Sequence, residues 1–188
     1  MPNGFRIRIG VVTKSRIMKI KFMVIGIMLS LVTGLVQAQI FHLKGASAIS
    51  AAGGITGSGI FGELGYQRFF SSKVYLKIAG NYESAKVNGA SVSTTLLDIE
   101  IFFGLNPGGG RFFINGGFGP STGYEKVSGL ESESKIAGMK YGFLVTLEPE
   151  IYVSNKVGII IPVSQRLYFQ ESLTRKKFNV GLGLRVLF

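Results

Sequence analysis

Apolar and polar side chains alternate along most of the chain from about residue 40 to the C terminus. The last segment is the clearest: every second residue from Phe178 to Phe188 is apolar, and mainly small or polar residues such as Gly183 and Arg185 lie between them. A repeat of two residues is that of an extended strand with one apolar face, and no helix has it. The pattern therefore predicts a β-strand that ends at the C terminus.

Seven further segments are predicted to be strands. In six of them the apolar face is well defined. Its members are Ile60, Leu64 and Tyr66; Val74, Leu76, Ile78 and Tyr82; Leu97, Ile99, Ile101 and Phe103; Phe112, Ile114 and Phe118; Tyr141, Phe143, Val145, Leu147, Ile151 and Val153; and Val157, Ile159, Ile161 and Val163. The first strand is predicted over about residues 40–50 and has the weakest pattern, with Phe41 and Leu43 against His42 and Lys44.

The connections between these segments alternate between short and long. Turn-forming residues predict tight turns at Ser71-Ser72, 106–109 and Ser154-Asn155, and longer loops at about 51–57, 84–93, 120–137 and 170–176. Transmembrane barrels have short turns on the periplasmic side and longer loops outside. A tilted strand crosses the bilayer with about 9–11 residues, which the predicted strands provide.

The polar faces carry charges that decide between two classes of β protein. They contain five acids and four bases, namely Glu63, Lys77, Asp98, Glu100, Arg111, Glu148, Glu150, Arg166 and Arg185. In a soluble sandwich or lipocalin such charges would face water, whereas in a membrane barrel they would fill the interior. The nearly balanced signs and many glycines favour a narrow lumen plugged by paired charges, since eight strands leave just enough room for side chains. We therefore predict an all-β protein, an eight-stranded antiparallel up-and-down β-barrel of the outer-membrane type; a soluble β protein is the alternative.

Aromatic residues cluster near the predicted strand ends, as they do in the interfacial girdles of membrane proteins. They are Tyr66, Phe69, Phe70, Tyr75, Tyr82, Tyr124, Tyr141, Tyr152, Tyr168 and Phe169. The terminal Phe188 of an alternating strand also resembles the C-terminal signature of outer-membrane proteins. Both features favour a barrel in the outer membrane.

The N-terminal segment has the pattern of a secretory signal peptide. A charged stretch ending at Lys19-Ile-Lys21 precedes an uncharged, mostly apolar run from Phe22 to Val36, and Val36-Gln37-Ala38 supplies small or modest residues for cleavage. The apolar run of about 15 residues is shorter than the roughly 20 residues of a membrane-anchoring helix, which is the alternative. We predict an N-terminal extension and cleaved signal peptide over 1–38 and one barrel domain over 39–188; Met18 is a candidate start.

Charge and composition exclude several functions. The formal charge of +11 suggests nucleic-acid binding at first sight, but residues 1–38 carry six bases and no acid, which leaves 15 bases and 10 acids in the remainder. With no cysteine and one histidine, thiolate metal sites, disulfides, a cysteine nucleophile and histidine-based triads are excluded or improbable. An exported domain also works away from chromosomal DNA, so no direct nucleic-acid partner is expected.

Candidate chemistry is sparse. The glycine-rich segments 53–59 and 106–111 resemble phosphate-binding loops, but no helix follows either of them, and we interpret them as a flexible loop and a turn. Glu148 and Glu150 share a face, and we interpret them as partners of Arg166 rather than as a catalytic pair. His42 is expected in the lumen or at the periplasmic side, and the cluster 175–177 is either a solvated loop or a contact for phosphate or lipid headgroups. We predict no catalytic, cofactor-binding or metal-binding residue, no cofactor and no small-molecule substrate.

Several segments together resemble the TraO family of conjugal transfer proteins, which conjugative transposons of Bacteroidetes encode. The segments are Gly65–Lys77, Leu96–Asp98, Arg111–Phe113, Gly123–Glu125 and Lys177–Phe188, and the similarity runs in the same order through essentially the whole mature chain. Residues 45–59 depart most from that pattern. The resemblance implies a component of an envelope-spanning DNA-transfer apparatus and does not imply an enzyme.

These observations give three functional hypotheses. The first is a structural or accessory outer-membrane component of a conjugation system, with membrane lipid and other conjugal transfer proteins as partners. The second is a general small surface barrel for adhesion or envelope protection, unrelated to conjugation. The third, a lipid-acting barrel enzyme, would need a nucleophile and a histidine together at one rim, and the sequence offers only His42.

Overall fold

The structure is a computed structural model that describes residues 42–57, 59–87, 90–108, 110–128, 137–169 and 176–188. The predicted signal peptide and its cleavage site fall in residues 1–41, outside the described residues, and stay predictions. The described strands are β1 (Ser47–Thr56), β2 (Gly59–Phe69), β3 (Val74–Val87), β4 (Ala90–Leu105), β5 (Phe112–Ser128), β6 (Ala137–Tyr152), β7 (Val157–Ile160), β8 (Val163–Tyr168) and β9 (Lys176–Leu187). Within the described ranges, no helix is long and apolar enough to cross a bilayer.

The strands form one closed antiparallel sheet. From β1 to β7 each strand pairs with the next along the chain, β8 pairs with β9, and β1 pairs with β9, with Ala48 opposite Leu187. The closure is sealed at its edge by two backbone hydrogen bonds between Ser47 and Phe188, of 3.0 and 2.9 Å. Because β1 is bonded on both sides, the described sheet has no open edge, which is what a barrel achieves.

Strands β7 and β8 are two halves of one barrel strand. Both pair with β6 on one side and with β9 on the other. The register on β6 is the same before and after the break, since Ile160 lies opposite Glu150 and Val163 opposite Leu147. The interruption falls at Pro162, which has no N–H to give to the ladder. The barrel therefore has eight strands, and the predicted fold is confirmed.

The first strand differs from its prediction. It begins at Ser47 rather than near residue 40 and continues to Thr56, through the glycine-rich stretch expected to be a flexible loop. This stretch is ordered by ladders to both β2 and β9. A Cβ on Gly54 would lie 2.1 Å from the carbonyl oxygen of Val180, so the glycine permits a close approach of two strands.

The short turns were placed correctly, whereas the long loops predicted at 84–93 and 120–137 were placed too generously; the loop predicted at 170–176 lies almost wholly outside the described residues. Links at 70–73, 106–111 and 153–156 lie at one end of the barrel, which we call the turn end. At the opposite end, the loop end, β3 and β4 are paired up to Val87 and Ala90, and β5 continues to Ser128. The outward apolar residues stop before these ends of the strands. The alternation of apolar and polar residues therefore predicted strands shorter than those observed.

The two faces of the barrel are inverted relative to a soluble protein. Charged side chains of the strands are buried inside, including Asp98, Glu148 and Arg185, each with 0% exposure. Large apolar side chains point outward, such as Leu64 at 68% and Leu182 at 63% exposure. The alternative of a soluble β protein is thereby rejected, because its apolar face would form the core.

Candidate functional site

The turn end of the lumen is closed by aromatic side chains. The cluster, which we call the aromatic plug, comprises Ala48, Phe69, Tyr75, Phe102, Phe113, Tyr152 and Leu187. His42 belongs to the same layer: its ring centroid lies 4.2 Å from that of Phe113 and 4.7 Å from that of Phe69. These described residues fill the lumen at the turn end.

His42 reaches the lumen from a segment that precedes β1. The segment turns at Gly45, whose φ of 86° suits glycine, and the histidine is then 1% exposed. Its Nε2 lies 3.1 Å from Oε2 of Glu150. The prediction of a lumenal position is confirmed, whereas its assignment to the first strand is wrong because β1 starts at Ser47.

Above the aromatic plug, Arg185 holds two carboxylates. Its guanidinium donates to Oε2 of Glu150 at 2.6 Å and to Oε1 of Glu148, and it donates at 3.3 Å to the hydroxyl of Tyr75. Lys77 pairs with Glu63 and with Glu148, the latter at 3.5 Å. A planar guanidinium suits this paired geometry, since it offers two parallel N–H groups. We call this set the Arg185 cluster.

Arg166 was predicted to pair with Glu148 and Glu150, and this prediction is wrong. Arg166 lies opposite Leu144, closer to the loop end, where it donates to Glu83 at 2.8 Å and to Asp98 at 2.7 Å. The carboxylate of Glu83 also accepts from Nζ of Lys177 at 2.8 Å. The register of the strands decides which acid each arginine meets, because Arg166 and Arg185 both face the lumen and differ only in their height along the barrel.

The cationic cluster 175–177 is also not one unit. Lys177 is buried in the lumen on Glu83, so it is not available to phosphate or lipid, while Lys176 points outward and is exposed. Residue 175 lies outside the described residues. A period of two continues through this segment and separates its two lysines onto opposite faces.

A third group of charges lies near the loop end. Lys140 pairs with Glu125, and its Nζ lies 4.7 Å from the ring centroid of Tyr168. A small apolar cluster of Ala90, Val92 and Val127 packs inside at the same end. Glu125 and Lys140 were missed because their segments were assigned to a loop or read only for apolar residues.

Within the described ranges, the buried lumenal charges number seven acids and five bases. They are Glu63, Lys77, Glu83, Asp98, Glu100, Glu125, Lys140, Glu148, Glu150, Arg166, Lys177 and Arg185. Eight of the nine predicted lumenal charges are among them. Arg111 is the exception: it is half-buried at the turn end, where it donates to the carbonyl oxygen of Val153 at 3.3 Å.

Glycine makes room for this filling. A Cβ on Gly117 would lie 2.6 Å from the ring of Phe102, which stacks on Tyr75 with a centroid distance of 4.8 Å. On Gly65 it would lie 3.1 Å from the side chain of Lys77. The lumen is therefore packed with side chains, as predicted, and is not an open channel.

The described lumenal charges are mostly held in ion pairs. Among these residues, no group of three or more histidines and acids is placed to hold a metal ion. His42 contacts Glu150 and aromatic rings, so the described contacts supply no serine nucleophile for it. Glu148 and Glu150 share Arg185, so both are held in ion pairs.

The outer surface has an apolar belt bordered by aromatic residues. Tyr66, Phe70, Tyr82, Tyr124, Tyr141 and Phe169 face outward, as predicted for a girdle. Phe69, Tyr75, Tyr152 and Tyr168 were predicted to belong to it, but they face the lumen. Each of these four occupies a position of the opposite parity in its strand, and parity decides the face.

Charge is segregated between the two faces. All seven described acids are buried inside, and every exposed or half-buried charged side chain of the described ranges is basic. The outward bases are Lys44, Arg68, Lys73, Arg111 and Lys156 at the turn end, and Lys86, Lys126 and Lys176 at the loop end. Both rims of the apolar belt are thus lined with positive charge.

The comparisons with known proteins support the fold. No protein-family model matches the sequence, and no curated protein matches it. Solved structures do match. Neisserial surface protein A has a TM-score of 0.62 and 11% identity, over 76% of this chain and 96% of its own. The N-terminal β-barrel domain of OprF from Pseudomonas aeruginosa has a TM-score of 0.58 and 13% identity, over 77% of this chain and 98% of its own. Ail, the attachment invasion locus protein of Yersinia pestis, has a TM-score of 0.56 and 13% identity, over 78% of this chain and 100% of its own.

These likenesses establish the fold of a small outer-membrane barrel. The fold and the outward apolar belt agree, since an exterior of this kind is stable only against lipid. The predicted localisation in the outer membrane is confirmed on these grounds. The likenesses do not extend to a role in conjugation.

Proposed function

We propose that the protein is a small outer-membrane surface barrel that acts in adhesion or envelope protection. It is a lipid-embedded scaffold rather than a pore or an enzyme. The observation that carries the proposal is the filled lumen: Arg166 and Arg185 are at most 1% exposed, and the aromatic plug closes one end. A barrel of this size without a free lumen can act only through its outer surface and its ends.

The lengths of the strands support a role at the cell surface. β4, β5 and β6 have 16, 17 and 16 residues, whereas a crossing needs about 9–11. The excess lies at the loop end, so the β3–β4 and β5–β6 hairpins extend beyond the apolar belt. The likeness to Ail, the attachment invasion locus protein of Yersinia pestis, supports the same role.

The experiment is deletion of the gene followed by assays of surface phenotypes. Loss of the barrel is expected to lower attachment of cells to surfaces or survival under envelope stress such as bile or serum. A variant with both hairpins shortened to the membrane surface, after residues 84 and 126, which lie in the same row of the register, should fold and still fail to complement. Full complementation by the shortened barrel would refute a surface role for the hairpins.

A role in conjugation is the second candidate, and the resemblance of Gly65–Lys77 and Lys177–Phe188 to the TraO family supports it. The turn end offers a feature that suits it: five outward bases, with no exposed acid among the described side chains there. Such a rim would bind an acidic periplasmic partner through charge complementarity. Deletion of the gene from a mobilisable element, with counting of transconjugants, tests this candidate. Unchanged transfer would refute it.

A further inference from the structure

Three strands at the loop end carry a regular polar patch on their outer face. Residues in one row are Cα partners across β3, β4 and β5, so the rows follow from the register. The upper row is Lys86, Ser91 and Ser128, and the lower row is Ser84, Ser93 and Lys126. We call these six residues the lysine–serine patch. Their side chains point outward, because residues of opposite parity such as Glu83 and Glu125 are buried in the lumen.

The patch lies directly above the aromatic girdle. The next outward row toward the membrane is Tyr82, Thr95 and Tyr124, whose two tyrosines are 56% and 51% exposed. Each two-residue step along a strand tilted by about 40° rises roughly 5 Å along the membrane normal. The lower row therefore lies roughly 5 Å above the girdle, within the interfacial layer of about 5–8 Å on each side of a bilayer, and the upper row, roughly 10 Å above it, lies at the outer edge of that layer. This is the level of the lipid headgroups.

The donors of the patch match a phosphate group. Lys86 and Lys126 are separated by one strand and one step of the register, which places their Cα atoms about 12 Å apart. Their long side chains can converge over β4, where Ser91 and Ser93 supply hydroxyl donors. Ammonium and hydroxyl groups are strong donors to phosphate oxygens. Within the described ranges neither lysine makes an ion pair.

We propose that the lysine–serine patch binds a phosphate of a phosphorylated glycolipid in the outer leaflet, a phosphorylated glucosamine lipid of the lipid A class. The acyl chains of this lipid would lie on the apolar belt below the girdle, beside Leu97 and Ile99. The lipid source is favoured over free phosphate because the patch and the belt are continuous on the same strands. The proposal adds a specific ligand to the proposed surface barrel and depends on the membrane orientation only.

The test is lipid binding to the folded barrel in detergent micelles, measured by native mass spectrometry. The probes are lipid A and the same lipid after removal of its phosphates. The wild-type barrel is expected to retain the phosphorylated lipid about 30-fold more tightly, as two lysines near the interface would give. The double variant Lys86→Gln, Lys126→Gln should lose this preference, and Ser91→Ala with Ser93→Ala should lower it by about fivefold.

The matched control is the double variant Lys73→Gln, Lys156→Gln, which removes two outward charges at the opposite rim. It should bind lipid A like the wild type, because its changes lie at the turn end. Equal losses in both double variants would show unspecific charge attraction and overturn the proposal, as would a wild type indifferent to the phosphates. Displacement of lipid A by inorganic phosphate at equal concentration would overturn the lipid source. Heat-modifiable migration on gels verifies that each variant is folded, so a failure here is separate from a failure of the surface phenotype.

Discussion

Arg185 provides the strongest test of the packed lumen. It has 0% exposure and ion pairs with Glu148 and Glu150, which are themselves 0% exposed. In Arg185→Met, both carboxylates lose their shared cation, and the described lumenal charges change from seven acids and five bases to seven and four. Removing one partner of a buried pair costs about 3–5 kcal/mol. We expect the free energy of unfolding to fall by that amount.

Other substitutions define the source of this loss. Arg185→Lys keeps the charge but loses the two parallel donors, so we expect an intermediate loss of about 1–2 kcal/mol. Arg68→Met is the matched control, since Arg68 is an exposed arginine at the turn end. An exposed charged side chain contributes about 0–1 kcal/mol to stability, so the free energy of unfolding of the Arg68→Met control should be close to that of the wild type.

The assay is urea unfolding of the barrel in phospholipid vesicles. The chain has no tryptophan, so the folded fraction is read from the heat-modifiable band on gels and from circular dichroism. If Arg185→Met fails to fold, Arg185→Lys supplies the measured loss. Stability of Arg185→Met within about 1 kcal/mol of the wild type and of Arg68→Met would refute the argument, because two fully buried carboxylates cannot lose their shared guanidinium at so small a cost.

Three further predictions concern packing, lipid contact and transport. Gly117→Ala places a methyl group against the ring of Phe102 and should lower the free energy of unfolding by about 1–3 kcal/mol. Gly116→Ala, whose Cβ has nothing within 4 Å, should be nearly neutral. Equal urea midpoints of the two variants would contradict this prediction. Val145→Arg, in the middle of the outward apolar residues of β6, should lower the free energy of unfolding in vesicles by about 2–4 kcal/mol, and Ser91→Arg at the rim should lower it by about 0–1 kcal/mol. The reverse order would show that the apolar belt does not lie where the structure places it. In planar bilayers the wild-type barrel should give no sustained conductance steps, and steady ion conductance would contradict a filled lumen.

The sequence predicted the elements best where one face of a strand is uniformly apolar. β9 and β6 are examples, since Leu182, Leu184 and Val145 mark the lipid-facing side without ambiguity. The prediction failed where both faces are polar or small. No row of apolar residues runs through the stretch around Gly54. None runs through β3 after Tyr82 or through the part of β4 paired with it, although the backbones of all these segments pair with neighbouring strands.

The lumenal charges were largely predictable, but their partners were not. Parity along each strand placed Glu148, Arg166 and Arg185 on one lumenal face. Which base meets which acid depends on the register of strands far apart in the chain: Arg185 lies 37 residues from Glu148, and Arg166 lies 83 residues from Glu83. Sequence spacing carries no information on that relative height, because the loops and the barrel tilt set it.

The sequence alone thus determined that the chain forms strands and which residues share a face. These properties are local, since they follow from a repeat of two residues and from the sign of each side chain's hydrophobicity. Only the tertiary structure decided the closure of β1 on β9, the pairing of Arg185 with Glu148 and Glu150, and the lysine–serine patch over β3 to β5. These features arise from register around a closed sheet, where a shift of two residues leaves every face unchanged and replaces every neighbour.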